Sequence, residues 1–171
     1  TASLPDFDLD IQEDAFFHYA KLAFELSFNP FDDAIVAFES YLTQFPASPR
    51  RDEAYRFLLQ VHMTSRDYER ALGVLDNISE PDQTVMAAAQ VLAFNRAVEL
   101  YQNKQLDRAL VFFRKSRSNN VDPQMHAETF YWEGEILYNQ EKFTPAAAAF
   151  AKFSTTPGSY LSELHTDADY A

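Results

Sequence analysis

Four alanines set the frame of this 171-residue chain: Ala34, Ala71, Ala109 and Ala146. Their spacings are 71−34 = 37, 109−71 = 38 and 146−109 = 37. A large apolar residue precedes each by three positions: Phe31, Tyr68, Leu106 and Phe143. Another follows each by four: Phe38, Leu75, Phe113 and Phe150. Residues four apart share one face of a helix, so each phrase reads as a helix with one small-and-large packing face. Self-similarity at a fixed period is the mark of a stacked repeat, and it outranks local propensity as a guide to architecture.

The fourth copy is the clearest. Tyr131-Trp132-Glu133-Gly134-Glu135-Ile136-Leu137-Tyr138 reads as a first helix, Asn139 to Lys142 as a tight turn, and Phe143 to Phe150 as a second helix. Gly134 sits mid-helix, where glycine costs about 1 kcal/mol relative to alanine. Its presence predicts that another backbone packs closely against it. Ala97 and Tyr55 are the corresponding packing residues of earlier first helices.

Helix boundaries are written in the same stretches. Asp10 and Glu13 have the spacing of a capping box, opening a helix that runs to about Leu26. Pro30 disfavours helix at Asn29 and suits the first turn of the next helix. Ser48-Pro49 has the form of a cap followed by proline at the first helical position. Ala71, Leu72, Leu75 and Ile78 are placed on the second helix of the second repeat. Val85 to Phe94 is an unusually long apolar entry, predicting a first helix a turn or two longer than its fellows. Asp122-Pro123 opens the fourth repeat.

A large, small and aromatic pattern of this kind, near a period of about 34 residues, resembles the tetratricopeptide repeat. The resemblance implies an all-α solenoid of about four helix-turn-helix repeats in a right-handed superhelix. The expected division is a lead at 1–10, repeats at about 11–46, 47–81, 82–121 and 122–156, and the start of a further, truncated repeat at 157–171. No capping element with a polar outer face is visible. The chain is therefore expected to be a fragment of a longer array, with Asp167 to Ala171 opening another first helix. The junction from Phe45 through Pro46, Ser48, Pro49 and Arg50 to Tyr55 is similar to those of bacterial cell-envelope tetratricopeptide proteins. These include the periplasmic protein of the Tol-Pal system, the outer-membrane assembly lipoprotein, and long arrays of Bacteroidetes-type bacteria. That similarity implies a periplasmic or envelope location, with the cytoplasm as the alternative.

Composition excludes more than it assigns. The net charge of −12 argues against nucleic-acid backbones and anionic membranes as direct partners. Without a single cysteine there are no disulfides and no thiolate chemistry. No apolar run approaches the roughly 18 residues of a membrane span. His18, His62, His126 and His165 are far apart and form no metal-binding pattern. His126 reads as a surface histidine. Glu133 and Glu135 fall on different helix faces, so they form no acid/base pair. No nucleophile elbow, phosphate loop or dinucleotide fingerprint occurs. The expectation is a non-enzymatic protein with no cofactor and no metal.

What remains is aromatic. The resemblance implies that first helices line a concave face. Phe94 and Tyr101 form one stripe there, Tyr131 and Tyr138 the next, with Arg56 and Met63 their counterparts in the second repeat and His18 in the first. Such a face suits a protein or peptide partner, because aromatic anchors bury area with few rotors to freeze. The lysine-and-asparagine clamp that some family members use for terminal carboxylates is missing, since only Arg56 and Asn95 are polar fits. Glu53, Glu128 and Glu135 favour a basic or neutral ligand instead. Arg50-Arg51 reads as a solvated helix start, and Trp132 as a core residue between repeats. The alternative is a spacer or a module that self-associates through the ends of the array.

Overall fold

The computed structural model describes residues 9–26 and 30–164. It is all-helical over that range, with helices α1 (Leu9–Leu26), α2 (Pro30–Gln44), α3 (Arg51–Thr64), α4 (Tyr68–Leu75), α5 (Gln83–Gln102), α6 (Leu106–Asn119), α7 (Pro123–Asn139) and α8 (Phe143–Thr155). A short 3₁₀ turn follows at Ser159–Leu161. The order is four helix-turn-helix pairs, a tetratricopeptide-like helical repeat. Contacts divide the chain after Glu80 into an N-terminal unit and a C-terminal unit. Asp167 to Ala171 and His165 lie outside the described residues, as does Asn29.

In the N-terminal unit α1 packs on α2, α2 on α3 and α3 on α4. Phe17, Ala20, Ala34, Phe38, Tyr41, Ala54, Leu58 and Val61 form its core. The Phe38 and Phe57 rings lie parallel, 5.0 Å apart and 8° from coplanar. Ala34 and Ala71 are fully buried, and Tyr55 is half-buried under the Arg51 guanidinium, 5.0 Å from its ring.

The C-terminal unit repeats the device. Here α5 packs on α6, α6 on α7, and α7 on α8. Ala97, Leu100, Ala109, Phe113 and Ile136 are buried together. Phe113 and Trp132 are stacked at 5.9 Å and 2°. Trp132 and Phe57 each stand 14 residues before their repeat's key alanine (146−132, 71−57), and Phe113 and Phe38 each four after theirs. The ring of one repeat's first helix thus stacks on the ring of the preceding repeat's second helix. The equivalent positions of the second and third repeats hold Leu75 and Asn95, which are not rings. The division of the chain falls at that junction.

Gly134 is buried, but its neighbour is a side chain rather than the expected backbone. A Cβ there would stand 2.7 Å from the Phe150 ring, so the missing side chain makes room for Phe150. Ala146 and Phe150 are buried beside it. α5 is the longest of the described helices, at 20 residues, as its apolar entry predicts. Asp82 and Asp122 cap α5 and α7 by accepting the Val85 and Met125 amides, both at 2.9 Å.

Three local expectations need correction. α1 begins at Leu9, which makes Asp10 a first-turn residue, and Glu13 does not close a capping box. Its carboxylate instead accepts the Tyr41 hydroxyl and the Ser48 hydroxyl, the latter at 2.8 Å. α3 begins at Arg51 rather than Pro49; Ser48 caps the preceding turn by accepting the Arg50 amide at 2.9 Å. α4 ends at Leu75, so Ile78 is not helical, although it is buried in the turn that follows.

The tight turns inside three repeats share one geometry. Arg66, Lys104 and Glu141 have φ of 59°, 61° and 60°, and each lies five residues before its key alanine. The next amide reaches back to close the helix: Asp67 to the His62 carbonyl, Gln105 to Leu100 and Lys142 to Leu137, at 3.0, 2.9 and 2.9 Å. Glycine is the residue that adopts this left-handed conformation without steric cost, and here none is used.

Candidate partner-binding surface

The residues of the expected stripes are placed differently in the two units. In the N-terminal unit His18 is 62% exposed, 3.6 Å from the Asp14 carboxylate one turn earlier. Arg56 donates to the Glu80 carbonyl at 3.2 Å, tying α3 to the end of the unit. Met63 is half-buried, and its carbonyl accepts the Arg66 amide at 3.2 Å.

The C-terminal unit does assemble its stripes. Along α5, Val91, Phe94, Val98 and Tyr101 recur at helical spacing and are all half-buried. Phe94 meets Phe113 edge-on at 5.5 Å, so part of its ring belongs to the core. Along α7, Glu128, Tyr131, Glu135 and Tyr138 recur with spacings of three, four and three. Tyr101 sits 5.2 Å from Trp132, which in turn meets Tyr131 at 5.6 Å. Asn139 donates to the Tyr101 hydroxyl at 3.4 Å, which brings the ends of the two rows together. Burial, and then the Glu135 charge, push the Tyr101 hydroxyl above the ordinary tyrosine range. Tyr138 is 55% exposed and leans on Phe143 at 5.5 Å. Tyr131 is the least free of the set, wedged against Phe150 and Phe153 at 5.6 Å each.

Glu133 and Glu135, either side of Gly134, face different neighbours. Glu133 accepts Arg114 at 2.6 Å and Arg117 at 2.7 Å from α6. Burial alone would raise its pKa, but the two arginines outweigh it and hold the carboxyl below the usual range. The sequence reading misses this triad because its members are 16 and 19 residues apart, with no local signature. His126 is not an uncommitted surface histidine either: its Nδ1 lies 3.2 Å from the Arg117 carbonyl and its ring meets Phe130 at 5.7 Å.

Two further concavities lie in the N-terminal unit. A cleft of about 780 Å³ is bounded by Leu9, Ile11, Glu13, Asp14, Phe45 and Arg50. Arg50 does not simply face solvent there, since it pairs with Asp14 at 2.7 Å and stands 5.2 Å over the Phe17 ring. Arg50 holds the Asp14 carboxyl below its ordinary range, and the Tyr41 hydroxyl does the same for Glu13. Burial, then the bond to Glu13, push Tyr41 up to about 12. These contacts bind α1 to the α2–α3 turn. A second cleft of about 480 Å³, among Glu39, Thr43, Tyr55, His62, Arg70 and Asn77, has the buried His62 in its wall.

Among the described residues no three His, Asp or Glu side chains are grouped to hold a metal ion. No described helix is long and apolar enough to cross a membrane.

Residues 14–48 match the tetratricopeptide repeat family model. The match runs from α1 through α2 to the turn that carries Ser48, and it agrees with the helical repeat described above. Repeats of this family mediate protein–protein interaction and are not enzymatic in themselves. No curated protein and no solved structure gives a significant match.

Proposed function

We propose that this chain is a non-enzymatic interaction scaffold that binds a segment of a partner protein on the first-helix face of its C-terminal unit. The observation that carries this reading is the pair of adjoining rows on α5 and α7, linked through Tyr101 and Asn139. Phe94, Tyr101 and Tyr138 keep ring area accessible while Trp132 and Phe113 fix the surface beneath them. A pre-formed aromatic surface loses little entropy on binding. The test is retention of a partner by the immobilised chain and by a Tyr101→Ser, Tyr138→Ala variant of equal helicity. Loss of at least tenfold in affinity, about 1.4 kcal/mol, supports the reading. Equal retention removes it.

A self-assembling or spacer role is the second reading, and Tyr19 favours it. Tyr19 is 62% exposed on α1, beside exposed Leu22 and Leu26. An apolar patch of this kind is suited to a further repeat or a second copy. Sedimentation that changes with protein concentration and is lost in Tyr19→Ser, Leu22→Ser would support it. The bacterial envelope setting, with the periplasm as compartment, rests on the similarity of the Phe45–Tyr55 junction, and fractionation of the source cell tests it.

A further inference from the structure

We propose that the exposed stripe of α1 is a homodimer surface, on which α1 of a second copy of this chain lies antiparallel. This rests on the self-assembly reading above and names both the occupant of the stripe and its direction.

The stripe is Ile11, Ala15, Tyr19, Leu22 and Leu26. Ala15 is exposed, and the four large side chains are exposed by 59, 62, 51 and 73% in chain order. At 3.6 residues per turn all five fall within an arc of about 80°. Phe17 and Ala20 point the other way, into the core of the N-terminal unit, and Phe24 packs against that core. α1 is therefore apolar on two faces, whereas a helix at the surface of a finished fold is apolar on one. Single exposed hydrophobic residues are ordinary, but a continuous row of them marks a contact surface.

The order of the row fits its own antiparallel image. Ile11 and Leu26 lie equally far from the midpoint between His18 and Tyr19, and so do Ala15 and Leu22. In an antiparallel pair Ile11 of each copy meets Leu26 of the other. The small Ala15 receives the large Leu22, so the two rows interdigitate as a close-packed contact requires. The tyrosines then flank the twofold axis. A parallel pair in register sets Tyr19 on Tyr19 and Leu22 on Leu22 and leaves a gap at Ala15.

Charge selects the same direction. The first half of α1 carries Asp10, Glu13 and Asp14 and no base, whereas the second half carries Lys21 and Glu25, which cancel. Parallel copies bring the acidic halves together; antiparallel copies hold them apart and oppose the helix dipoles favourably. Asp14 and Lys21 keep their contacts to Arg50 and Glu53 within the chain. Their field therefore sets direction, and burial of the apolar row supplies the affinity. A contact of one surface with its own copy closes on itself, so the product is a dimer and not a filament.

The test begins with sedimentation equilibrium of the whole chain over about 5–500 µM, the range suited to a small interface. The expected result is a monomer–dimer equilibrium with nothing larger, lost in a Tyr19→Ser, Leu22→Ser variant of equal helicity. The chain has no cysteine, so single thiols then report the direction. When Ile11→Cys and Leu26→Cys copies are mixed and oxidised, the mixed disulfide should exceed each homodisulfide by at least about fivefold, because only residues within disulfide reach are trapped. A dimer that gives mainly homodisulfides would overturn the antiparallel pairing and leave the self-assembly reading standing. Species larger than a dimer, or a dimer unchanged in the serine variant, would overturn the α1 pairing as well. A monomer throughout would overturn both the pairing and the self-assembly reading.

Discussion

The two units use the same ring stack and differ in what surrounds it. In the N-terminal unit Phe38 and Phe57 are flanked by a charged knot of Glu13, Asp14, Tyr41, Ser48 and Arg50 that locks the start of α1 to the α2–α3 turn. In the C-terminal unit Phe113 and Trp132 are flanked by a neutral knot around Gln90. Its side chain donates to the Asp122 carbonyl at 3.0 Å and accepts the Val121 and Asp122 amides at 2.8 and 2.7 Å. Its own carbonyl accepts Ser116 at 2.9 Å. The first arrangement commits much of the charge near α1 to structure. The second fixes the α6–α7 junction through an uncharged side chain, alongside the pairing of Glu133 with Arg114 and Arg117.

The ring stacks should produce the largest effects. Phe38→Ala and Phe113→Ala are each expected to cost about 3–5 kcal/mol. Amide hydrogen exchange should show protection lost in α1–α3 for the first variant and in α5–α7 for the second. Simultaneous loss in both units from either variant would break the comparison.

Next comes Gln90→Ala, which takes the side-chain partner from two part-buried amides and a carbonyl and should cost about 1–3 kcal/mol. Tyr41→Phe should cost only about 1 kcal/mol, because Ser48 still donates to Glu13. Denaturant midpoints of the two variants give the order directly, and a larger loss from Tyr41→Phe would reverse it.

A pH dependence sharpens the contrast. His62 is 2% exposed, and burial lowers its pKa below the ordinary histidine value of about 6.5, with Asp67 and Glu39 opposing and Arg70 assisting. Its Nδ1 has no hydrogen-bond partner. The unfolded chain therefore takes up this proton first as the pH falls. Stability is full above about 6.5 and is lost as the pH drops from there through the folded pKa. Melting of the N-terminal unit should fall between pH 7.5 and 5.5, and His62→Phe should flatten that slope. The carboxylates held low in the same unit, Glu13, Asp14 and Asp52, lose their contribution only in a more acidic window.

The smallest effects have the opposite sign. Arg66→Gly, Lys104→Gly and Glu141→Gly should each stabilise by about 0.5–1 kcal/mol, since the left-handed conformation costs a side-chain-bearing residue roughly that much or more. Thermal midpoints that fall in all three would show that these side chains contribute more than their backbone strain.

The alanine spacing was enough to read the four helix pairs, the long α5 and the α7 opening at Asp122, because these depend on local periodicity and caps. What it could not supply depends on partners far along the chain. Glu13 has the spacing of a capping residue, yet it reaches Tyr41 and Ser48, 28 and 35 residues on. Gly134 signals a close approach without saying that a Phe150 ring makes it. The candidate face shows the same split. Tyr101, Tyr131 and Tyr138 follow from helical spacing, whereas the diversion of Glu133 to α6 and the link from Asn139 to Tyr101 appear only once the helices are packed.

The central claim is that a partner protein meets the α5–α7 face. The most direct measurement is photo-crosslinking in the source cell from a benzophenone side chain placed at Tyr138, compared with one at Val111, which is 63% exposed on α6. A discrete adduct is expected from position 138, lost in the Tyr101→Ser background, and none from position 111. Adducts from 111 alone, or equally from both, would contradict it.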